Sequence, residues 1–544
     1  MSIKRLTRRE FLRIAGITSA GLVAAACAPS VAPTQAPGAT TAAQPTSGPQ
    51  PTAVPQATAG PRYGGVLRIS DIADGISIGY PAKLVRATSN RQTAPVVETL
   101  LRVDRAGNLT PWLAMGFAND VAAKAITLTL RKGVKFHDGT DFNAEAVKWN
   151  LEACVAAKQQ GSEKIKSVDA VDDSTVRVSL TEWDSTVASS FPQALGLMVS
   201  PTATKKNGAD WAAKNPVGTG PFQFVSWEKD VRIAYKKFDR YWQKGKPYLD
   251  RVEFTNIADS VTRQLALRKG EIDLALGISP QDILQLGKDG FVVTRVLGGS
   301  GAYTLIPDSA NPQSPWADVR VRQAAQYAID TAEIVKSILL GQAEPASQWI
   351  YKGHWGYNSS VVGYPYNPTK AKQLLSEAGY ANGFKTKILY QVGTGDQVCN
   401  AVQGYLSAVG IDVQLDPAQP TRWNEATLGG GKWEGLVWGS MTGDPDVVAQ
   451  LALRYTGGGK WYSQLKLPDD FVGAIKSAVS APDTETKQKW AQEAEKLMVD
   501  KHCMQLTLYA TAEAIVSQPK LQNHGWFETP NKGLWRPEDA WLEA

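Results

Sequence analysis

The segment from residue 28 to residue 61 is the feature that most limits what this chain can fold into. It holds eight prolines among Ala, Thr, Gln, Ser and Gly, and it contains no charged and no aromatic residue. A segment of that composition cannot bury enough apolar surface to form a core, so we predict that it is disordered, part coil and part polyproline. A folded body is therefore expected over residues 62–544.

Residues 1–26, ahead of this segment, are predicted to be a signal peptide. Arg8 and Arg9 are followed by an uncharged run, rich in Ala and Gly, from Ile14 to Ala26. Such a run is too short to span a bilayer comfortably, whereas a basic start followed by a short apolar stretch is typical of an export leader. The arginine pair resembles that of twin-arginine signals, which export proteins already folded.

Cys27 lies at the junction between the leader and the disordered segment. It follows Ala24-Ala25-Ala26, which resembles a lipoprotein cleavage box in which Cys27 becomes the lipidated first residue. Residues 27–61 would then be a tether with a span of roughly 30 to 35 Å as flexible coil. Cleavage without lipidation is the open alternative. Either route predicts an extracytoplasmic protein, in a periplasm or at a cell surface, and lipidation would anchor it to the membrane.

The net charge gives no reason to expect a nucleic-acid partner. The whole chain carries a formal charge of +6, but the leader holds five Lys or Arg residues and one Glu, so the remainder carries +2. No Lys/Arg run and no nucleic-acid motif remain after the leader. The folded body is larger than one core supports, which predicts two or three lobes.

Three cysteines remain after Cys27, and their spacing does not suggest a metal site or a redox motif. Cys154, Cys399 and Cys503 form no CxxC pair. One disulfide is possible from such a set, but three buried thiols are the favoured prediction. No cofactor is expected.

Strand and helix patterns alternate along the body. An alternating strand opens it at Gly64 to Ser70, and Asn143 is expected to cap a helix over residues 144–159. A later helix starts at Asn367-Pro368 and ends at Gly379. A strand is predicted at residues 505–509, after the last long helix. The mixture indicates an α/β body with more than one sheet.

Several phrases of the body resemble those of the family 5 extracellular solute-binding proteins, and they occur in that family's order over nearly the whole body. The resemblance implies a class II periplasmic-binding-protein fold, α/β with two lobes, an extra subdomain in lobe I and a hinge of two strands. The phrases are Glu98-Thr99-Leu100, Leu130 to Gly139, Pro216 to Phe222, Gly270-Glu271-Ile272-Asp273, Val319 to Asp330 and Ala378-Gly379-Tyr380.

Carried over, the resemblance implies boundaries and partners. Lobe I would comprise residues 62–300 and 513–544, with the subdomain inserted at about 108–199, and lobe II residues 301–512. The chain would cross between the lobes near Gly301 to Tyr303 and near Tyr509 to Ala514. Family members deliver di- and oligopeptides to the permease and ATPase subunits of ABC importers, and some bind nickel chelates, opines, haem or oligosaccharides. A monomer is expected.

The stretch from Lys432 to Asp446 is the candidate binding element. Leu436, Val437 and Trp438 form a short apolar strand that Gly439, Gly443 and Pro445 end. An indole at such a strand end can stack on a ligand, and glycine lets the main chain approach it. A core tryptophan followed by an ordinary turn is the alternative. The candidate ligand-binding residues are Trp438, Gly439, Met441 and Asp444, with Trp423, Trp433 and Arg422 close in sequence.

Met441 bears on the choice of ligand. In peptide-binding relatives the loop after this tryptophan resembles W-x-G-D-x-G-D-P-D, and its first Asp holds the ligand's free amino group. Placed without gaps, that Asp corresponds to Met441, which cannot pair with an ammonium. This placement predicts a neutral solute, a blocked peptide or an oligosaccharide. A shifted placement would let Asp444 hold the amine instead.

Motifs of an enzyme are missing from the sequence. It contains no Walker A run and no H-E-x-x-H, and Gly298 to Ala302 departs from a nucleophile elbow at its last position. The four histidines lack metal-ligand spacing, and His137 is expected to be a structural hydrogen-bonding residue. No catalytic residue and no metal ligand are assigned. An exported hydrolase acting on glycan or peptide stays as an alternative, because two carboxylates that are distant in sequence can meet in the fold. A surface sensor or chaperone with the same fold is the other alternative.

Overall fold

The computed structural model describes residues 60–71, 77–83, 91–441, 446–456, 461–526 and 535–543. The predicted leader, Cys27 and all but the last two residues of the predicted tether lie outside the described residues, as does Asp444. Within the described part, no helix combines the length and apolar character that crossing a membrane requires.

A mixed sheet of eleven strands runs through the body. Its strands occur in the order Phe222–Glu228, Arg232–Lys237, Arg251–Asn256, Val66–Asp71, Leu274–Ala275, Leu506–Ser517, Val292–Pro307, Leu436–Met441, Phe384–Gln391 and Ile411–Ala418, and Ala343–Pro345 pairs beside Leu506–Ser517.

Two long strands, Val292–Pro307 and Leu506–Ser517, join the two halves of this sheet and are called the hinge strands below. They pair antiparallel to each other, from Val292 opposite Ser517 to Leu305 opposite Leu506. The strand predicted at residues 505–509 is therefore longer than expected, because its pairing with Val292–Pro307 continues as far as Ser517. Both predicted crossings fall inside these strands, and the predicted lobe boundaries remain predictions.

Below, lobe I is our name for the described residues that precede the hinge strand Val292–Pro307, and lobe II for those between the two hinge strands. Lobe I so defined contains the half of the sheet around Val66–Asp71 and a separate four-stranded sheet. The separate sheet packs on the helix Ala144–Ala156 and encloses a core of its own that includes Cys154. Asn143 caps that helix, accepting from the Ala146 N–H at 3.0 Å. The helix ends three residues earlier than predicted, because Lys158 takes a left-handed conformation at φ 54°. The four strands lie in the order Ala114–Asp120, Ala125–Leu130, Thr175–Leu180 and Ile165–Asp172.

Lobe II carries helices on both faces of its half of the sheet. One face packs on Val319–Ala328, Pro368–Glu377 and Asp396–Ser407, and the other on Asp469–Val479 and Thr484–Lys496. Asn367 caps its helix as predicted, accepting from the Lys370 N–H. Cys399 and Cys503 are buried free thiols, like Cys154, which confirms the prediction of three buried thiols.

The remaining elements are short or peripheral. The other α-helices are Pro201–Asn207, Ala209–Ala212, Ser260–Arg268, Pro280–Lys288, Thr331–Ser337, Pro420–Thr427 and Val447–Leu451, and the π-helical turns are Ala452–Thr456 and Leu497–Lys501. The 3-10 turns are Pro81–Lys83, Ala188–Ser190, Ala194–Gly196, Pro315–Ala317 and Pro537–Asp539. Two-stranded pairs join Glu98–Thr99 with Leu197–Met198, Leu101–Val103 with Leu109–Pro111, and Leu521–Gln522 with Trp541–Leu542.

Candidate ligand-binding cleft

A cavity of about 510 Å³ lies beside the hinge strands, and both lobes contribute to its wall. We call it the hinge cavity. A site shared by two lobes is the arrangement through which a bound solute can favour their closed position. Lobe I contributes Arg91, Leu276, Gly277, Ile278, Pro280 and Ile283; lobe II contributes Leu339, Gln342, Ala343 and Gly393 to Gly395; the hinge strands contribute Tyr303, Tyr509 and Thr511 to Ala514.

Three aromatic rings are stacked at the lobe II side of the hinge cavity. The Tyr303 ring lies 5.1 Å from the Trp438 ring, at an interplanar angle of 22°, and 5.3 Å from the Tyr509 ring, at 29°. Tyr303 and Tyr509 line the cavity, whereas Trp438 is only 2% exposed. Trp438 therefore lies behind the wall and supports the two tyrosines that form it.

Gly395 packs directly on the Trp438 indole. It has φ 87°, a left-handed conformation that favours glycine, and it precedes the helix Asp396–Ser407. A Cβ at this position would lie 2.6 Å from the Trp438 Cε2, well inside van der Waals contact. Glycine is thus required for the loop to close over the indole and reach the cavity.

The Met441 side chain points to the face of the strand opposite Trp438, and Gly439 lies on that same face. Trp438 packs in the core on the side of Asp396–Ser407, whereas Met441 is 1% exposed in the opposite core, with its sulfur 3.9 Å from the Tyr455 hydroxyl. A separation of three residues along a strand puts two side chains on opposite faces. Met441 and Gly439 do not line the hinge cavity in the described structure, and their predicted contact with a ligand stays a prediction.

Trp423, Trp433 and Arg422 lie on the same side as Met441. Trp423 donates its indole N–H to the Trp438 carbonyl at 3.1 Å, which ties it to the strand main chain. Arg422 and Trp433 line a separate surface pocket of about 450 Å³, where Arg422 makes a bidentate ion pair with Asp416. Because lobe II alone builds that pocket, we take the hinge cavity as the candidate site.

None of the described candidate ligand-binding residues lines the hinge cavity, and of its lining the sequence indicates only Tyr303 and the stretch from Tyr509 to Ala514, as hinge crossings. Tyr509, Thr511 and Glu513 alternate along one hinge strand, so their side chains share a face. That spacing, together with Glu513 as the charged residue of a strand that is otherwise uncharged, is the signal in the sequence that points to a cavity wall.

The charged side chains on the described wall are Arg91 and Glu513. The Arg91 guanidinium lies 3.7 Å from the buried Asp71 carboxylate. Burial raises the pKa of both Tyr303 and Tyr509, so both phenols are neutral at physiological pH. The wall therefore combines two uncharged phenols with one cationic and one anionic side chain.

The lobes also touch at a second place, which we call the seam, between residues 183–189 of lobe I and the helices of lobe II. Ser185 donates its N–H to the Val479 carbonyl at 2.8 Å and its hydroxyl to the Ala478 carbonyl at 2.9 Å. The Trp183 indole N–H donates to the Ala481 carbonyl at 2.9 Å. These bonds hold the lobes together away from the hinge.

A buried ion pair lies at the seam. Asp446 caps the helix Val447–Leu451 with one carboxylate oxygen, and its other oxygen accepts from Lys487 and from the Ser189 hydroxyl. Lys487 also donates to the Ser185 carbonyl at 3.0 Å. Asp446 and Lys487 are 2% and 8% exposed. Lobe II thus supplies the ion pair, and lobe I supplies two of its hydrogen-bonding partners.

Within the described ranges, no group of three or more His, Cys, Asp or Glu side chains could hold a metal ion. His137 places its Nε2 at 2.9 Å from the Gly220 carbonyl, and burial lowers its pKa to about 4. This confirms the prediction that His137 is a structural hydrogen-bonding residue.

Comparison with known families decides the family. The family model for bacterial extracellular solute-binding proteins, family 5, matches residues 108–462, which is more than half of the chain. The chain belongs to this family. As a family 5 protein it is an extracytoplasmic solute-binding component of an ABC importer, and the predicted family is confirmed.

Relatives of this family 5 protein include peptide-binding proteins. The glutathione-binding protein GsiB of Shigella flexneri is 31% identical over 360 residues, 64% of this chain and 70% of that protein. The periplasmic binding protein DppA of Helicobacter pylori, solved with the peptide STSA, is 26% identical, with a TM-score of 0.69 over 89% of this chain and 99% of that one. The substrate-binding protein CtaP of Listeria monocytogenes shares the fold at 20% identity, with a TM-score of 0.78 over 88% of this chain and all of that one. The predicted two-lobed α/β fold is confirmed.

Proposed function

We propose that the chain binds a small peptide-like solute in the hinge cavity and delivers it to the permease and ATPase subunits of its ABC importer. The observation that carries this proposal is the position of the hinge cavity, whose wall is built by both lobes and both hinge strands. A solute that contacts both lobes is bound more tightly when they are closed, so its binding favours the closed form. The importer subunits can then recognise the closed form as the solute-bound protein.

The proposed activity is binding and release without bond chemistry. Two relatives of the chain support this proposal: one is a glutathione-binding protein, and the other is a periplasmic binding protein solved with a peptide. The alternative of an exported hydrolase requires a nucleophile or a carboxylate pair at the site, whereas the described carboxylate on the cavity wall is that of Glu513 alone. Conversion of a bound peptide or glycan by the purified protein would favour the hydrolase.

Native mass spectrometry of freshly purified protein is the first test, because a solute held between closed lobes is retained through purification. Small-angle scattering should then show a smaller radius of gyration after the solute is restored to stripped protein. Tyr303→Ala should weaken binding, whereas Arg422→Ala, in the surface pocket, is the matched control. Weaker binding in Arg422→Ala and unchanged binding in Tyr303→Ala would instead place the site in the surface pocket. An unchanged radius of gyration at saturating solute would contradict closure of the lobes.

The state of the ligand's amino group is a separate proposal. The gapless placement, with Met441 in place of the amine-binding Asp, supports a solute whose amino group is blocked or absent. A placement that uses Asp444 supports a free amine. Calorimetry with Ala-Ala-Ala and its N-acetyl form separates them: tighter binding of the acetylated peptide supports the first placement, and tighter binding of the free peptide supports the second.

Lipid anchoring at Cys27 completes the proposal. The Ala-rich sequence before Cys27 and the uncharged segment after it support an anchored protein on a flexible tether. Cys27→Ser should release the protein from membranes into the soluble fraction. A variant that still sediments with membranes would contradict the anchor.

A monomer is proposed, and gel filtration with light scattering tests it.

A further inference from the structure

The chain enters the folded body at one end of lobe I, directly after the predicted tether. The Gly64 N–H donates to the Tyr248 carbonyl at 2.8 Å, and the Tyr63 hydroxyl donates to the Gly245 carbonyl at 3.0 Å. These acceptors belong to residues 229–251, which we call the basic segment. The basic segment therefore lies where the tether joins the body.

The basic segment differs in charge from the rest of the body. It holds eight Lys or Arg residues and three Asp, a formal charge of +5. Since the body as a whole carries +2, the rest of it carries −3. Carboxylates outside the segment neutralise two of its cations: Arg232 lies 3.5 Å from the Glu253 carboxylate, and Lys246 pairs with Asp539. The excess positive charge of the body is thus concentrated where the tether is attached.

Two other cations of the basic segment lie side by side on the sheet. Lys236 is directly opposite Arg251 on the neighbouring antiparallel strand, and both residues are exposed. Within the described residues, neither makes an ion pair. Arg240 and Lys244 are exposed in the loop that joins the two strands. Because like charges directly opposite each other destabilise a sheet, this arrangement gains stability from an anion supplied from outside the chain.

An exposed aromatic ring lies beside these cations. Tyr63 is 64% exposed, and its ring packs edge-on against Tyr248, with a distance of 5.3 Å between the ring centroids. The Lys237 ammonium lies 5.2 Å from the centroid of the Tyr63 ring. Tyrosine is common at membrane–water interfaces, because its ring is apolar and its hydroxyl is polar. Tyr63 thus adds an interfacial side chain to the cationic surface.

We propose that the basic segment and Tyr63 form a surface that binds the anionic lipid headgroups of the membrane that holds the Cys27 anchor. The exposed cations are spread along a strand pair and its loop, which suits a planar array of charges better than one small anion. A tether with a span of roughly 30 to 35 Å keeps this surface close to the membrane. The resulting high effective concentration lets a surface of modest affinity stay bound.

The hinge cavity lies toward the opposite end of the same strands. The Leu276 N–H donates to the Ser70 carbonyl at 3.2 Å, and Leu276 lines the hinge cavity. Arg251 pairs with Val66, four residues before Ser70, which is roughly 13 Å along the strand at about 3.3 Å per residue. A body bound to the membrane through the basic segment therefore has its cavity directed toward the solution, from which it collects the solute.

Sedimentation with lipid vesicles tests this surface. The protein is the mature chain, residues 27–544 with Cys27→Ser, which lacks both the basic leader and the lipid. It should bind vesicles of equal parts phosphatidylcholine and phosphatidylglycerol, bind pure phosphatidylcholine far more weakly, and lose affinity as salt is raised. The triple variant Lys236→Gln, Lys244→Gln and Arg251→Gln should bind the anionic vesicles about a hundredfold more weakly, because each Lys or Arg near an anionic membrane contributes about fivefold.

The matched control removes the same charge from lobe II. Lys372→Gln, Lys385→Gln and Lys489→Gln replace three exposed lysines far along the chain from the basic segment, and this variant should bind the anionic vesicles nearly as the unmutated protein does. Equal losses in the two triple variants, or equal binding of the unmutated protein to anionic and neutral vesicles, would overturn the inference.

The outcome is independent of the proposed function. Neither set of substituted residues lines the hinge cavity, so both variants should bind the copurified solute as the unmutated protein does. Loss of the membrane surface would leave solute binding and lobe closure standing. The vesicle assay uses protein without lipid, so it is also separate from the proposed anchor at Cys27.

Discussion

Lys487→Met is expected to shift the protein toward the open form. The substitution removes the cation from the buried pair with Asp446 and the bond from Lys487 to the Ser185 carbonyl across the seam. Methionine keeps a similar apolar stem, so the change is mainly one of charge. In the closed form Asp446 would stay buried beside Ser189 without its cation, whereas opening exposes it to water.

The magnitude follows from what remains at the seam. Loss of one partner of a buried ion pair costs about 3–5 kcal/mol. The bonds that Trp183 and Ser185 make to carbonyls at residues 478–481 remain, and neutral hydrogen bonds contribute about 1 kcal/mol each. Beside the seam, the Trp355 N–H also donates to the Ala106 carbonyl at 2.9 Å, and the Tyr351 hydroxyl donates to the Arg105 carbonyl at 3.2 Å. The loss is therefore comparable to the contribution of these neutral bonds together. A shift of about 3 kcal/mol is about a hundredfold in the closing equilibrium, and apparent affinity should weaken by a similar factor.

Calorimetry with the copurified solute and small-angle scattering of the loaded protein are the assays. Urea denaturation measures separately how much of the loss falls on folding. The matched control is Asp446→Asn with Lys487→Met, which removes both charges while Asn still caps the helix. Replacement of both partners is far milder than loss of one, so the double variant should recover most of the affinity. Unchanged affinity and radius in Lys487→Met, or a double variant as impaired as the single one, would refute the reasoning.

Two further predictions each concern a single residue. Glu495 is fully buried with one hydrogen bond, from the Trp349 N–H at 3.3 Å, and burial raises its pKa to about 8. Because this folded pKa lies above the unfolded one, the contribution of Glu495 to the free energy of unfolding is greatest below about pH 4.5 and falls by up to about 1.4 kcal/mol per pH unit toward pH 8. In urea denaturation at pH 5 and pH 7.5, Glu495→Gln should therefore lose less stability between the two pH values than the unmutated protein does. Equal losses in the two proteins would contradict this cause. Gly395→Ala should lower stability by about 1–3 kcal/mol and weaken solute binding, because of its positive φ and the contact with Trp438. Gly404→Ala in the same helix, where an added Cβ meets nothing, is the control, and equal effects of the two would count against the packing argument.

Local features of the chain could be predicted because local chemistry decides them. Asn143 and Asn367 cap their helices through side chains that reach N–H groups three residues on. The apolar run at Leu436 to Trp438 forms a strand, and the thiols of Cys154, Cys399 and Cys503 are buried. Each of these outcomes depends on a few neighbouring residues or on hydrophobicity alone.

The sequence by itself determined the family, the order of its elements and the stretch that forms a strand beside the hinge. Only the tertiary structure decided which side chains meet at the site. Tyr303 and Tyr509 face each other through the antiparallel register of the hinge strands, and Met441 turns away from Trp438 because the sheet has a core on each face. Periodicity shows that a strand has two faces, but the packing of distant segments decides which face meets a cavity and which a core. The same holds for the pair of Asp446 and Lys487, whose partner Ser189 comes from the other lobe.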